Sequence, residues 1–302
     1  MNKLSSYSFG WKIIFAVLVI TFAIVLLIPS PGNGFDMFSK RANVGVIDVS
    51  GTISNSEGSF LSSRVTPEKI RTLTRKAENK NIDAILYSIN SPGGSVVASK
   101  EIKRIIENSQ VPTVCQYNDV AASGALWLSM GCDEIVSDSL SLTGSIGATS
   151  SYLEFSGLLE KLGVEYVNLT SGKFKSTGSP FKNITEEEKE HLQSNLNQVR
   201  EVFVEEILES RDLERSELQN VTDGRTLLGK EAKEIGIVDH LGGRKTVEQV
   251  LKDKMDVEKV NFQKIQISEG FNLLSQILTK VGYGMGSAFT EKENKGLVSI
   301  KR

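Results

Sequence analysis

The chain has 302 residues, enough for one substantial hydrophobic core and a small accessory region. Its 35 basic and 37 acidic residues nearly cancel, so nothing points to a nucleic-acid surface. The two cysteines, Cys115 and Cys132, have neither metal-ligand nor redox-motif spacing, and no metal or cofactor is expected.

Residues 1–12 carry Lys3 and Lys12 and precede an uncharged apolar run, Ile13 to Ile28. As a helix that run spans ~24 Å, and the uncharged stretch continues through Pro29 to Phe35, enough to complete a ~30 Å crossing. The basic residues beyond it, Lys40 and Arg41, lie farther from the apolar core. This asymmetry predicts a single-pass cell-membrane anchor over 13–29, with the N-terminus cytoplasmic and the rest extracytoplasmic. A cleaved signal peptide is the alternative. Pro29-Ser30-Pro31-Gly32 stands where a small-x-small cleavage site would be, which favours a retained anchor. Residues 30–43 read as a linker.

A main domain is expected over 44–255. Val44–Val49 reads as a strand, and Thr66-Pro67 as the N-cap and first residue of a helix. Strands are predicted at Ile82–Ile89, Val111–Tyr117, Glu134–Val136, Val164–Leu169 and Ile237–Asp239. Helices are predicted at Val96–Glu107, from about Ala121, at Glu154–Leu162, Gly229–Gly236 and Lys245–Lys252. Thr185 and Glu188 form a capping box that opens a long helix, with Leu192, Leu196, Val199, Phe203 and Ile207 on its apolar face. Strands alternating with helices predict an α/β fold with a mostly parallel sheet. Both cysteines adjoin apolar runs, so they read as buried thiols, with a disulfide as the alternative. Residues 256–302 contain a helical stripe, Phe271 to Val281, followed by a glycine-rich, charged tail.

The chemistry concentrates in four segments. Leu142-Thr143-Gly144-Ser145-Ile146-Gly147 sets Ser145 in a glycine-flanked turn that a substrate carbonyl can approach closely. Such a serine needs a base to act as a nucleophile. His191 lies in a charged helical stretch and His240 precedes a turn, so neither is framed as that base. The lysines of Ser171-Gly172-Lys173-Phe174-Lys175-Ser176 become the candidates. Asn90-Ser91-Pro92-Gly93-Gly94-Ser95 runs from a strand into a helix and presents backbone N–H groups able to hold an oxyanion or another anion. Ala121-Ala122-Ser123-Gly124-Ala125 reads as close packing at a helix start.

These segments, together with Ser179-Pro180-Phe181, Asp223-Gly224-Arg225, Gly236-Ile237-Val238-Asp239 and Gly242-Gly243, resemble in order the signal peptide peptidase A family of membrane-bound serine proteases. The likeness covers roughly Val44 to Asp253. It departs at Gly124-Ala125-Leu126, where the family often has a second glycine and an aromatic. The resemblance implies a crotonase-like/Clp-protease-like α/β fold of repeated β-β-α or β-α units. It also implies an endopeptidase for short or unfolded peptides such as remnant signal peptides, with Ser145 as nucleophile and Lys175 as general base. Lys173 is the alternative base. A lysine must lose its proton to serve, and burial near Phe174 and Phe181 favours that loss. Gly93 and Gly94 would form the oxyanion hole. Because the chain holds one copy of the module, the resemblance further implies a homo-oligomeric ring in which Lys175 serves a neighbour's Ser145. A crotonase-like thioester enzyme and a catalytically inactive membrane scaffold are the other readings open at this point.

Overall fold

The structure is a computed structural model and describes residues 16–21, 40–56 and 64–267. The first half contains β1 (Arg41–Ser50), β2 (Thr52–Ile53), β3 (Arg64–Val65), α1 (Pro67–Glu78), β4 (Ala84–Ser91), α2 (Val96–Glu107), β5 (Thr113–Ala121), α3 (Gly124–Ser129), β6 (Glu134–Ser137) and β7 (Leu142–Gly144). The second half contains α4 (Ser156–Lys161), α5 (Glu186–Arg211), α6 (Arg215–Leu218), β8 (Thr226–Leu228), α7 (Gly229–Glu234), β9 (His240–Leu241), α8 (Arg244–Met255) and β10 (Lys259–Lys264).

Parallel pairing runs in the order β10-β1-β4-β5-β6-β9. The alternation of strand side chains sorts them into two cores. On β4, Ile85, Tyr87 and Ile89 join α1, α2 and α3 on one face, whereas Ala84 and Leu86 join α8 on the other. Burial on both faces explains why the strands read as continuous apolar runs. Helix α1 starts as expected: Thr66 Oγ1 accepts the Lys69 N–H at 3.2 Å, and Ile70, Leu73 and Ala77 face the core. The sheet continues past residue 255, because β10 pairs with β1 from Arg41↔Lys259 to Val46↔Lys264. Off the main path, β7 touches β5 at Val120↔Leu142 and pairs antiparallel with β8.

Two expectations are corrected. Cys115 and Cys132 are not thiols but a disulfide. Strand β5 and the segment after α3 bring their Cα atoms to 5.8 Å, within the span such a bond needs. No strand forms at 164–169. A strand needs a neighbour to satisfy its backbone, and here the chain has left the sheet.

From residue 149 to 182 the chain forms an arm outside the core. Helix α4 buries none of its side chains, and Leu153, Leu162, Val167 and Leu169 are 73%, 67%, 69% and 92% exposed. Helix α5 connects arm and body. Its capping box forms as read, but only Phe203, Val204 and Ile207 are buried in the core, while Leu192 and Leu196 are half-buried. The Phe203 ring stacks on Trp127 with centroids 4.3 Å apart, anchoring the C-terminal half of α5 to α3.

Among the described residues no helix is long and apolar enough to cross a membrane. The expected anchor over 13–29 lies outside the described residues apart from 16–21, which are helical, and the Phe271 to Val281 stripe lies wholly outside them.

Candidate active site

Two serine turns meet at the C-terminal end of β5. The first is Ser123, between β5 and α3, with φ 55° and ψ −122°. A non-glycine residue there is strained, and such strain collects at functional sites. A serine on a sharp strand-to-helix turn is also how nucleophile elbows expose their hydroxyl. The second is Ser145, directly after β7, with φ 53°. The turns are bonded to each other, since the Ser123 N–H donates to the Gly144 carbonyl at 2.9 Å. Thr143 Oγ1 donates to the Ala121 carbonyl at 2.7 Å and fixes β7 against the end of β5.

Strand β8 supports Ser145 from the other side. The Ser145 N–H donates to the Arg225 carbonyl at 2.7 Å. Gly144 has φ 75°, and a Cβ there would stand 3.0 Å from that same carbonyl, so this turn requires glycine. Arg225 donates from Nε and Nη2 to both carboxylate oxygens of Asp223, at 2.6 to 3.0 Å. The guanidinium and the neighbouring backbone N–H hold the Asp223 carboxyl at about 2, below its ordinary range.

Both serines line one cavity of about 390 Å³, closed on one side by the exposed face of α5. Val96, Trp127, Ile146 and Leu196 supply its apolar lining, and Gln193, Asn197 and Arg200 its polar edge. Gly94 lies on the cavity wall, exposed, while Gly93 is buried behind it. The Gly93 N–H donates to Ser91 Oγ at 3.1 Å. A Cβ on Gly94 would fall 2.1 Å from the Ile53 carbonyl oxygen, so this close approach of the two backbones admits no larger residue.

The lysines stand elsewhere. Lys175 is exposed on the arm and does not line the cavity of its own chain. Lys173 is ion-paired with Glu187 at 2.5 Å. The Lys175 loop is fastened to the start of α5 through Glu188, which is 3% exposed and accepts from Lys182 Nζ at 2.7 Å and from Thr177 Oγ1 at 3.1 Å. Those donors and the Thr185 N–H hold the Glu188 carboxyl at about 2. Neither histidine lines the cavity: His240 Nε2 contacts Glu134 at 3.2 Å, and the His191 ring packs near Phe174.

The sequence reading brought Ser145 and Gly94 to this cavity but assigned Ser123 to packing. The signal for Ser123 was its position between a strand and a helix, flanked by small residues. Arg200 and Trp127 carried no local signal, because only the tertiary fold sets α5 and α3 around the serines.

Comparison with known proteins gives the chain its class, which is a peptidase. The model for peptidase family S49 matches residues 106–258. A putative protease of Methanocaldococcus jannaschii is 30% identical over 287 residues, covering 92% of each chain. A putative signal peptide peptidase SppA of Enterococcus faecium is 34% identical over 65% of this chain and 59% of its own. The chain belongs to peptidase family S49, the signal peptide peptidase A family, and is a serine-type peptidase. Among solved structures, a membrane-bound stomatin-specific protease overlays with a TM-score of 0.47 at 13% identity, covering 76% of this chain and 99% of its own. ClpP1 of Listeria monocytogenes overlays with a TM-score of 0.43 at 16% identity, covering 67% and 92%.

Proposed function

We propose that this chain is a membrane-anchored endopeptidase, of Clp-protease-like architecture, that cleaves short or unfolded peptides by serine attack with Lys175 as general base. The observation that carries the reading is the strained Ser123 turn on the wall of the same cavity as Ser145 and Gly94. In this reading Ser123 Oγ attacks the peptide carbonyl and the Gly94 N–H receives the oxyanion. One such donor is worth roughly 10²–10³ in rate. Gly93, the other expected donor, contributes only if its N–H leaves Ser91. The Ser145 hydroxyl then holds the lysine amine. A second reading keeps Ser145 as the nucleophile, favoured by its own left-handed, glycine-framed turn.

Lys175 reaches the cavity from a neighbouring copy. The support is its place on an arm whose apolar side chains have no cover among the described residues. Docking that arm on a second subunit buries Lys175 among apolar groups, the condition under which an amine gives up its proton. A head-to-tail contact of this kind either closes or grows without end, and the closed ring is the form proposed for this chain. Remnant signal peptides are the substrate class that the family relationship suggests. An extracytoplasmic position agrees with the apolar run at 13–28 and with a disulfide, which persists in oxidising compartments.

The test is labelling of the full-length protein with a serine-reactive probe, the modified residue being located by peptide mass spectrometry. Label is expected on Ser123, abolished in Ser123→Ala and strongly slowed in Lys175→Ala. Label on Ser145 transfers the nucleophile's role to that residue. An unlabelled wild-type oligomer rejects serine catalysis. Mixing Ser123→Ala with Lys175→Ala subunits should restore activity, and mixed oligomers that stay inactive would place the dyad within one chain.

A further inference from the structure

The charges around the cavity do not balance. Only two ionisable side chains, Arg200 and Asp223, are on its wall among the described residues. Asp223 is neutralised by the two-pronged contact with Arg225 described above. Arg200 has no ion pair among the described residues and is exposed on α5. It stands one turn from Leu196 and Asn197 and two from Gln193, so these four residues share the helix face that closes the cavity. The site is thus apolar beside the serines, polar at one edge, and positive by one uncompensated guanidinium.

A guanidinium presents a planar fork of donors that matches a carboxylate, and bonds of this kind are stronger than neutral ones. An extended peptide seated against the serines has two carboxylate sources, an acidic side chain and its own C-terminus. We infer that Arg200 makes this cavity select peptides that carry a carboxylate near the scissile bond. Gln193 and Asn197, on the same face and joined by a 3.0 Å bond from Gln193 Nε2 to Asn197 Oδ1, offer their remaining amide atoms to the peptide backbone beside it. The inference rests on the reading of this cavity as the peptidase site, and it names the substrate chemistry which that site prefers.

The experiment uses sets of fluorescent peptides, identical except for Glu against Gln at one position or a free acid against an amide at the C-terminus. Binding is measured first by fluorescence anisotropy on the full-length Ser123→Ala/Ser145→Ala protein, so that catalysis plays no part. The carboxylate member of at least one pair should bind about tenfold tighter, the scale of one charge-assisted contact at a partly exposed site. Arg200→Gln should bring that ratio to about one, Arg200→Lys should keep part of it, and Arg200→Glu should reverse it. The ratio should also shrink as salt is added. Which pair responds, side chain or C-terminus, identifies the source of the carboxylate. In cleavage by protein with both serines intact, the Arg200→Gln effect on the ratio should appear in KM rather than kcat. A preference that survives in Arg200→Gln, or no preference in either pair before Arg200 is changed, overturns the inference. Selective binding without cleavage keeps the carboxylate preference set by Arg200 and counts against the catalytic reading instead.

Discussion

Body and arm solve opposite problems with the same residue types. In the body, most leucines, isoleucines and valines are buried between the sheet and its helices: Ile85, Ile102 and Leu126 have no exposure at all. In the arm the same types face water, and Leu169 is 92% exposed. The body buries most of its apolar side chains, with exceptions such as Val97 and Leu140, whereas the arm carries apolar surface that the other described residues leave uncovered. The serines belong to the first region and Lys175 to the second. The division of labour between regions is therefore also a division of the expected catalytic pair.

The largest effect should come from removing the arm's contribution to chemistry. Lys175→Ala should lower peptide hydrolysis by roughly 10²–10⁴, the usual worth of general acid–base catalysis, with the melting temperature of the body unchanged. Activity close to the parent protein would deny the arm any part in the reaction. Next, a large-to-small change in the body, Ile102→Ala, should cost about 2–5 kcal/mol in denaturant unfolding. Replacing both cysteines by serine should cost on the order of 3 kcal/mol, the value for a closed loop of similar length. A result near zero would mean that β5 and α3 stay in place without their covalent link.

Smaller effects test the arm itself. The Glu188 carboxyl sits at about 2 when folded, below its ordinary 4.5. Its contribution to holding the Lys175 loop is therefore complete above the ordinary value and is lost as pH falls through 2. Hydrogen exchange over 173–182 should rise across that window, and Glu188→Gln should raise it already at neutral pH. An unchanged exchange pattern in Glu188→Gln would show the loop is held by other contacts. Smallest of all, Leu169→Ala should alter the stability of an isolated subunit by less than about 0.5 kcal/mol. The same change should weaken self-association measured by sedimentation. A large loss of subunit stability would mean the arm is packed after all, and the contrast with the body would collapse.

Much of the body was legible from sequence because local and global preferences agree there. Helix α2 runs from Val96 to Glu107 as read, and Thr66-Pro67 and Thr185/Glu188 start their helices as their side chains dictate. The misreadings share one cause, which is dependence on distant partners. Val164–Leu169 has strand-like residues, but among the described residues no strand lies beside it. Conversely, β7 and β8 are only three residues each and exist because they pair with one another across more than eighty residues. The cavity followed the same rule. Ser145 and Gly94 were visible in glycine motifs, while the small residues around Ser123 fit close packing equally well until its backbone angle was known. Arg200 showed its character only through its place on the cavity wall without an ion pair among the described residues.

The Cys115–Cys132 bond encloses more than a stretch of core. Its two ends lie on β5 and just after α3, seventeen positions apart, and the tip of the loop between them is the Ser123 turn. Closing that loop releases two protons and two electrons, so a chain with the bond and one without it differ in oxidation state as well as in shape. A chain that acquires the bond only after reaching an oxidising compartment carries until then a Ser123 turn held by hydrogen bonds alone, such as that from the Ser123 N–H to the Gly144 carbonyl. The oxidation state of the chain is thus tied to the segment that carries the Ser123 turn.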